Sequence, residues 1–294
     1  MSRVEVCQLK GELYSNHPIA KYNSWGIGGT VKRFYKPYDL EDCINFVKSL
    51  KETERVIWLG LGSNVLFPDG VLDATVISTR FALKGVSLLD SGFVKVFGGE
   101  TCSKLARFSA KLGLGSAAFF AGIPGTVGGA LAMNAGAFGA ETWDYVESVT
   151  ILNQDGFLKD YKKSDFKIGY RSVSGPVGLF VSAIFKFKPM FVNDANLVIK
   201  SLLKKRGSSQ PIGTLNCGSV FRNPPGDYAA RLIESLGLKG YRIGGAEISK
   251  VHANFILNCD FATSQNVVDL INFIKQKVFD RYQVNLVPEV KIIS

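Results

Sequence analysis

The densest chemical signal in the 294-residue chain is a glycine loop, Gly122-Ile123-Pro124-Gly125-Thr126-Val127-Gly128-Gly129. Glycine adopts dihedrals closed to other residues and lets the backbone approach a ligand closely. A run of this kind can turn several N–H groups onto a phosphate. A pyrophosphate-bearing cofactor is the natural guest; a tight loop that packs two elements together is the other reading. A second glycine turn, Gly60-Leu61-Gly62-Ser63-Asn64, follows the apolar run Val56 to Leu59. It does not complete a dinucleotide fingerprint, because Val65 stands where a third glycine would be, and no G-x-x-x-x-G-K-[ST] run occurs.

Three isolated side chains could do acid–base or charge work. Ser219 sits in a polar strip with Asn216, Arg222 and Asn223, and no G-x-S-x-G surrounds it. A serine hydroxyl is a weak acid, but it can protonate a strongly basic carbanion held beside it; otherwise it is a turn or cap serine. Arg171, in Gly169-Tyr170-Arg171-Ser172, can clamp a carboxylate bidentately, or can lie on the surface with its stem packed on Tyr170. Glu289 interrupts an apolar run, Leu286-Val287-Pro288-Glu289-Val290, where a carboxylate is either paired, exposed or functional.

The elements that must hold these residues alternate. Asp39 reads as an N-cap before Leu40, Cys43, Ile44, Val47 and Leu50 at helical spacing. Val56 to Leu59, Ala74 to Ile77 and Val94 to Phe97 read as strands, and Ser103 to Leu112 as a helix closed by Gly113. Val146 to Leu152 and Phe157 to Tyr161 flank Asp155-Gly156, a hairpin turn signal. Val181 to Phe187 alternates as a half-buried strand does. A polar connector is expected from Lys204 to Gln210, then a helix from Asp227 to Leu236, a strand from Ala253 to Asn258 and an amphipathic helix through Val267, Val268, Ile271, Ile274 and Val278. Mixed strands and helices in this order predict an α+β fold.

Composition narrows the function classes. With 46% hydrophobic residues the chain can bury a large core in two or three domains. The formal charge of +10, from 35 basic and 25 acidic residues, favours anionic partners. No block of five basic residues occurs, so phosphorylated small molecules are expected rather than nucleic acid. Five dispersed cysteines (Cys7, Cys43, Cys102, Cys217, Cys259) without a C-x-x-C pair fit reduced thiols in a cytoplasm. With only two histidines, His17 and His252, no metal site is expected. Residues 1–12 carry charges throughout and do not read as a secretory signal. Between Lys111 and Glu141 no residue is charged. That stretch is too rich in glycine for a membrane helix, so a buried, backbone-lined ligand loop is expected and no membrane insertion.

Taken together, and in order along nearly the whole chain, these segments resemble the UDP-N-acetylenolpyruvoylglucosamine reductases. The resemblance rests on Asn23 to Gly29, Leu59 to Leu66, Gly122 to Gly139, Gly169-Tyr170-Arg171, Gly218 to Pro224, Gly237 to Gly240 with Gly244 to Ala246, and Pro288-Glu289-Val290. It implies the FAD-binding fold of the vanillyl-alcohol oxidase (PCMH-type) superfamily with a C-terminal α+β substrate-binding domain. The implied domains are 1–80 and 81–192 for FAD and 193–294 for substrate, the last ten or so residues returning to the FAD side. No insertion separates Arg171 from the strand at Val181, so the chain resembles the type lacking the extra tyrosine loop.

The resemblance also implies a reaction. NADPH reduces a tightly bound, non-covalent FAD. Flavin N5 then delivers hydride to C3 of UDP-N-acetylglucosamine enolpyruvate, giving UDP-N-acetylmuramate for peptidoglycan. By position, Ser219 resembles the proton donor to C2, while Arg171 and Glu289 resemble the residues that hold and polarise the carboxylate. Tyr170, Asn223 and His252 resemble substrate contacts. Gly60, Gly62, Ser63, Asn64, Gly122, Ile123, Gly125, Thr126, Gly128, Gly129, Asn134 and Gly139 resemble cofactor contacts. Ser249-Lys250-Val251-His252 departs from the family's more common serine-glutamate-lysine-histidine order. The rival on the same fold is an FAD-linked oxidase of a small hydroxy acid or alcohol; a non-catalytic basic protein that binds nucleotide sugars or membranes would not need two flavin-type glycine loops. A monomer is expected.

Overall fold

The computed structural model describes residues 9–294, so Cys7 and the head of the N-terminal segment lie outside it. The chain divides into two compact units. One holds the residues to 15, 33–60 and 74–202; the other holds 16–32, 61–73 and 203–294.

The first unit is built on an antiparallel five-stranded sheet in the order Leu158–Lys162, Val146–Leu152, Leu179–Phe185, Val94–Phe97, Val86–Leu88. The hairpin expected at Asp155-Gly156 forms, with Leu152 opposite Leu158 and Gly156 at φ +79°. Helix α1 (Leu40–Lys48) is capped by Asp39, whose carboxylate accepts from the Asp42 amide at 2.8 Å. Its apolar face puts Cys43, Phe46 and Val47 into a core with Tyr35, Ile77, Leu152 and Val181. Val56–Leu59 runs parallel to Val71–Ser78, from Val56 opposite Thr75 to Leu59 opposite Ser78. These two strands close a four-stranded sheet that continues through Thr30–Lys36 to Glu12–Pro18. Helix α2 (Cys102–Lys111) starts at Thr101, which caps the Lys104 amide.

Two expectations need correction here. The uncharged stretch after Lys111 is not one loop. It folds as a 3-10 helix, Gly115–Gly122, and a short α3 (Val127–Met133), joined by a turn. Glycine is a poor helix former, but Phe119, Phe120, Val127 and Leu131 all enter the core, and burial overrides propensity. The polar run Lys204 to Gln210 is not a connector either. Residues to 209 belong to α4 (Val192–Ser209), which buries Ala195 and Ile199 and turns its lysines outward. A solvated helix face and a loop share one composition, so the run alone did not separate them.

The second unit centres on α5 (Ala229–Ser235) and α6 (Ser264–Tyr282) packed with the antiparallel strands Arg242–Ile243, Ala246–Ile248 and Ile256–Asn258. Helix α6 is capped twice: Thr263 accepts from the Asn266 amide, and Asp69 accepts from the Ser264 and Gln265 amides. The expected strand from Ala253 begins only at Ile256, because a turn from His252 to Phe255 and the side chain of Asn254 occupy its first residues. The expected helix from Asp227 begins at Ala229, since Asp227 is spent on the Tyr228 amide and on Arg231. Trp25 is fully buried and donates from Nε1 to the Ile256 carbonyl at 2.7 Å, which gives the Asn23 to Gly29 motif a packing role. The C-terminal strand Lys291–Ile292 pairs in parallel with Val65–Leu66.

Candidate active site

In the first unit Gly60, the residue that opens the second glycine turn, meets the first glycine loop. A Cβ on Gly60 would collide with the Thr126 hydroxyl, so residue 60 must be glycine for the strand end to reach that loop. Gly125 sits at φ +143°, closed to L side chains. The loop's N–H groups are less available than the glycine count suggests. Val127 donates to Glu100 O and Gly128 to Gly98 O, both at 2.8 Å, and Gly129 donates to the Thr126 hydroxyl at 3.3 Å. The Ile123 amide donates to Phe120 O. Gly128 therefore serves close packing, with a Cβ reaching 3.0 Å from the Gly98 carbonyl. A Cβ on Gly122 would strike the Phe138 ring, whereas Gly139, at φ +85°, faces open space.

Arg171 is drawn into this unit and is not a surface arginine; its side chain is only 16% exposed. Its Nη2 donates to the Gly136 carbonyl at 2.9 Å and its Nη1 to the Asn134 carbonyl at 3.3 Å. The guanidinium lies 5.1 Å from the Tyr170 ring centroid, a cation–π contact. Asn134 is not available as an open cofactor contact. Its Nδ2 donates to Glu141 Oε2 at 2.7 Å and to the Gly169 carbonyl at 3.1 Å, and its Oδ1 accepts from the Trp143 amide. Asn134 and Arg171 both hold left-handed backbone, at φ +48° and +52°.

In the second unit Ser219 and Glu289 come to one junction. Phe221 and Pro288 form an isolated antiparallel bridge, and the Glu289 amide donates to Val220 O at 2.7 Å. Asn254, 3% exposed, locks the same point: its Oδ1 accepts from the Phe221 amide and its Nδ2 donates to the Phe221 carbonyl. Gly218, at φ +75°, turns the chain into Ser219. The Ser219 hydroxyl, half-buried, makes no hydrogen bond to another described residue. Asn64 spends its Nδ2 on the Glu289 carbonyl at 3.1 Å, so this glycine-turn residue braces Glu289. Gly62, at φ +67°, lies against Tyr22 and Asn23, where a Cβ would collide; Ser63 follows it in the same turn.

The remaining candidates are partly committed. Asn223 Oδ1 accepts from the Ala229 amide at 3.1 Å and so covers the start of α5. His252 Nδ1 accepts from the Asn254 amide at 3.3 Å, which puts the neutral ring's proton on Nε2. Burial, reinforced by the Lys239 charge, holds His252 below its ordinary value, so the ring is a neutral donor near pH 7. Sequence reading missed Asn254 and Glu141. Neither type nor spacing marks them, because folding alone brings Glu141 to the side chains of Asn134 and Arg171 and Asn254 to the backbone of Phe221.

The comparisons agree along the chain. Residues 31–161 match the family described as FAD binding domain, and residues 210–293 match the C-terminal domain of UDP-N-acetylenolpyruvoylglucosamine reductase. The protein of that name from Coxiella burnetii (strain Dugway 5J108-111) is 48% identical, covering 100% of this chain and 99% of the relative. Its counterpart from Legionella pneumophila (strain Corby) is 45% identical over 100% of this chain and 96% of the relative. The crystal structure of the Thermus caldophilus reductase superposes with a TM-score of 0.79 at 28% identity, covering 98% of this chain and 100% of that one.

The implied FAD can be tested against the residues present. Ser78 Oγ is fully buried and has no hydrogen-bond partner among the described residues, at the strand position opposite Leu59 and so beside the entry to Gly60. Nearby, Gly60 and Gly125 shape turns that no side-chain-bearing residue could copy. An orphaned hydroxyl beside two such turns fits an oxygen-rich nucleotide cofactor.

Proposed function

The chain belongs to the UDP-N-acetylenolpyruvoylglucosamine reductase family, and from that premise we propose that it reduces UDP-N-acetylglucosamine enolpyruvate to UDP-N-acetylmuramate with NADPH as electron donor. It is an oxidoreductase of peptidoglycan precursor synthesis with an FAD-binding domain. An FAD held by these residues would supply hydride transfer between NADPH and the enolpyruvyl C3.

The chain's own residues supply the rest. Hydride arrival at C3 leaves negative charge at C2 that spreads into the adjoining carboxylate. As the resemblance implies, Arg171 and Glu289 would hold and polarise that carboxylate as charge develops on it. Ser219 Oγ gives its proton to C2. The observation that carries this reading is the junction of Ser219 and Glu289: the Glu289 amide on Val220 O ties the segment that carries the hydroxyl to the segment that carries the carboxylate. Tyr170, Asn223 through Nδ2 and His252 through Nε2–H would contact the sugar nucleotide. Gly60, Gly62, Ser63, Gly122, Ile123 and Gly139 would line the flavin. The amides of Gly125 and Thr126, which are not among the loop amides spent internally, would meet its phosphates. The division into FAD-binding residues 1–80 and 81–192 and substrate-binding residues 193–294 belongs to this proposal, supported by the two family matches. A cytoplasmic enzyme fits these reactants, and among the described residues no helix is long and apolar enough to cross a membrane.

Purified protein supplied with NADPH and the enolpyruvyl sugar nucleotide should form the lactyl ether with one NADPH oxidised per product and no oxygen consumed. Oxygen consumption driven by a hydroxy acid or alcohol, with no lactyl ether formed, would favour the oxidase instead.

A further inference from the structure

We propose that Glu141 is the positioning residue for Arg171. One carboxylate serves both the guanidinium and the turn on which the guanidinium rests. Its Oε1 lies 3.6 Å from Arg171 Nη1, and its Oε2 accepts from Asn134 Nδ2 at 2.7 Å. Asn134 and Gly136 in turn present the two carbonyls that receive Arg171 Nη1 and Nη2. The second Asn134 Nδ2 contact, to the carbonyl of Gly169, fixes the chain two residues before Arg171. Removing the carboxylate therefore loosens the arginine from three directions: its ion partner, its carbonyl seat and, through Asn134, the turn that carries it.

Backbone strain explains why such a brace is needed. Asn134 and Arg171 hold left-handed dihedrals, which persist at non-glycine positions only where surroundings over-determine them. Gly136 leaves no slack, since a Cβ there would sit 3.0 Å from Arg171 Nη1. Glu141 is itself anchored: its amide donates to Asp144 Oδ2 at 2.8 Å, and its backbone pairs with Gly136. A part-exposed ion pair adds little stability, so the value of this carboxylate lies in orientation. A guanidinium held in one plane meets a planar substrate carboxylate without first losing side-chain freedom.

This inference rests on the reading that Arg171 holds the enolpyruvyl carboxylate, and the experiment separates the two. In anaerobic stopped-flow, Glu141→Ala should keep flavin reduction by NADPH within about twofold. Its reoxidation by UDP-N-acetylglucosamine enolpyruvate should slow by about tenfold to a hundredfold, the scale of a small misplacement. Calorimetry should show weaker binding of the enolpyruvyl sugar nucleotide and unchanged binding of UDP-N-acetylglucosamine, which lacks the carboxylate. Glu141→Gln keeps an acceptor for Asn134 and should recover part of the reoxidation rate. Wild-type reoxidation with an unchanged Glu141→Ala rate would overturn the positioning role. So would equal loss in both half-reactions, or equal weakening toward both sugar nucleotides, in both variants. Failure of the wild-type enzyme itself to be reoxidised would strike the underlying reading.

Discussion

The Glu289 amide donates to the Val220 carbonyl at 2.7 Å, so the residue that carries the carboxylate is bonded, backbone to backbone, to the residue after Ser219. Backbone contacts of this kind fix side-chain origins more firmly than side-chain contacts do. Asn64 adds a second tie from Nδ2 to the Glu289 carbonyl, and Lys291 donates back to the Asn64 carbonyl at 3.1 Å. A hydroxyl and a carboxylate held this way suit proton delivery beside a developing charge.

Ser219→Ala removes the hydroxyl and leaves this backbone intact. Reduction of the flavin by NADPH should stay within about twofold of wild type, while reoxidation by the enolpyruvyl sugar nucleotide should fall by about a hundredfold or more, the usual weight of a general acid. Rapid-mixing measurement of each half-reaction checks this. Equal loss in both would remove Ser219 as proton donor.

Gly125→Val places a β-branched residue at φ +143°. The strain should be on the order of 2 kcal/mol, and the loop can relieve it only by moving. The purified variant should carry much less FAD than wild type, read from its visible absorbance against protein concentration. Full flavin content would contradict the assignment of this loop to the cofactor's phosphates.

Asn254→Ala strips both the acceptor and the donor that Phe221 uses. Two buried backbone groups lose their partners, at a cost of about 3 kcal/mol and a fall in Tm on the order of 10 °C. Thermal unfolding checks the outcome. A Tm within a degree or two of wild type would show that the junction beside Ser219 does not depend on Asn254.

Glu100 gives a pH signature. Burial works against its charge, yet the Lys104 ammonium at 2.8 Å and the Thr101 and Gly85 amides hold it below the ordinary 4.5. A carboxyl depressed in the folded state stabilises the protein above its unfolded pKa, and that contribution is lost as pH falls through the folded value. Glu100→Gln should therefore lower Tm at neutral pH, and the gap should narrow below about pH 4. A gap that does not change between pH 7 and pH 3 would contradict the ionised, bonded state.

Much of the fold was legible because local signals agreed with the global structure. Asp39 capped α1 as its type and place predict, and the Asp155-Gly156 hairpin closed where glycine could take positive φ. What failed was reading function from composition alone. Lys204 to Ser209 looked like a linker because a helix's wet face is polar, and the glycine loop's amides looked available because sequence does not show that Gly98 and Glu100 would accept from them. Arg171, Ser219 and Glu289 could be picked out by resemblance. Glu141 and Asn254 could not, since Glu141 acts on the side chains of Asn134 and Arg171 and Asn254 on the backbone of Phe221, contacts that only folding creates.

The proposal that this chain reduces an enolpyruvyl double bond is best tried by holding the NADPH-reduced enzyme free of oxygen and adding UDP-N-acetylglucosamine enolpyruvate. Return of the oxidised flavin absorbance, with one lactyl ether formed per flavin, is the predicted result. A flavin that stays reduced with that substrate, in enzyme that oxygen can still reoxidise, would contradict it.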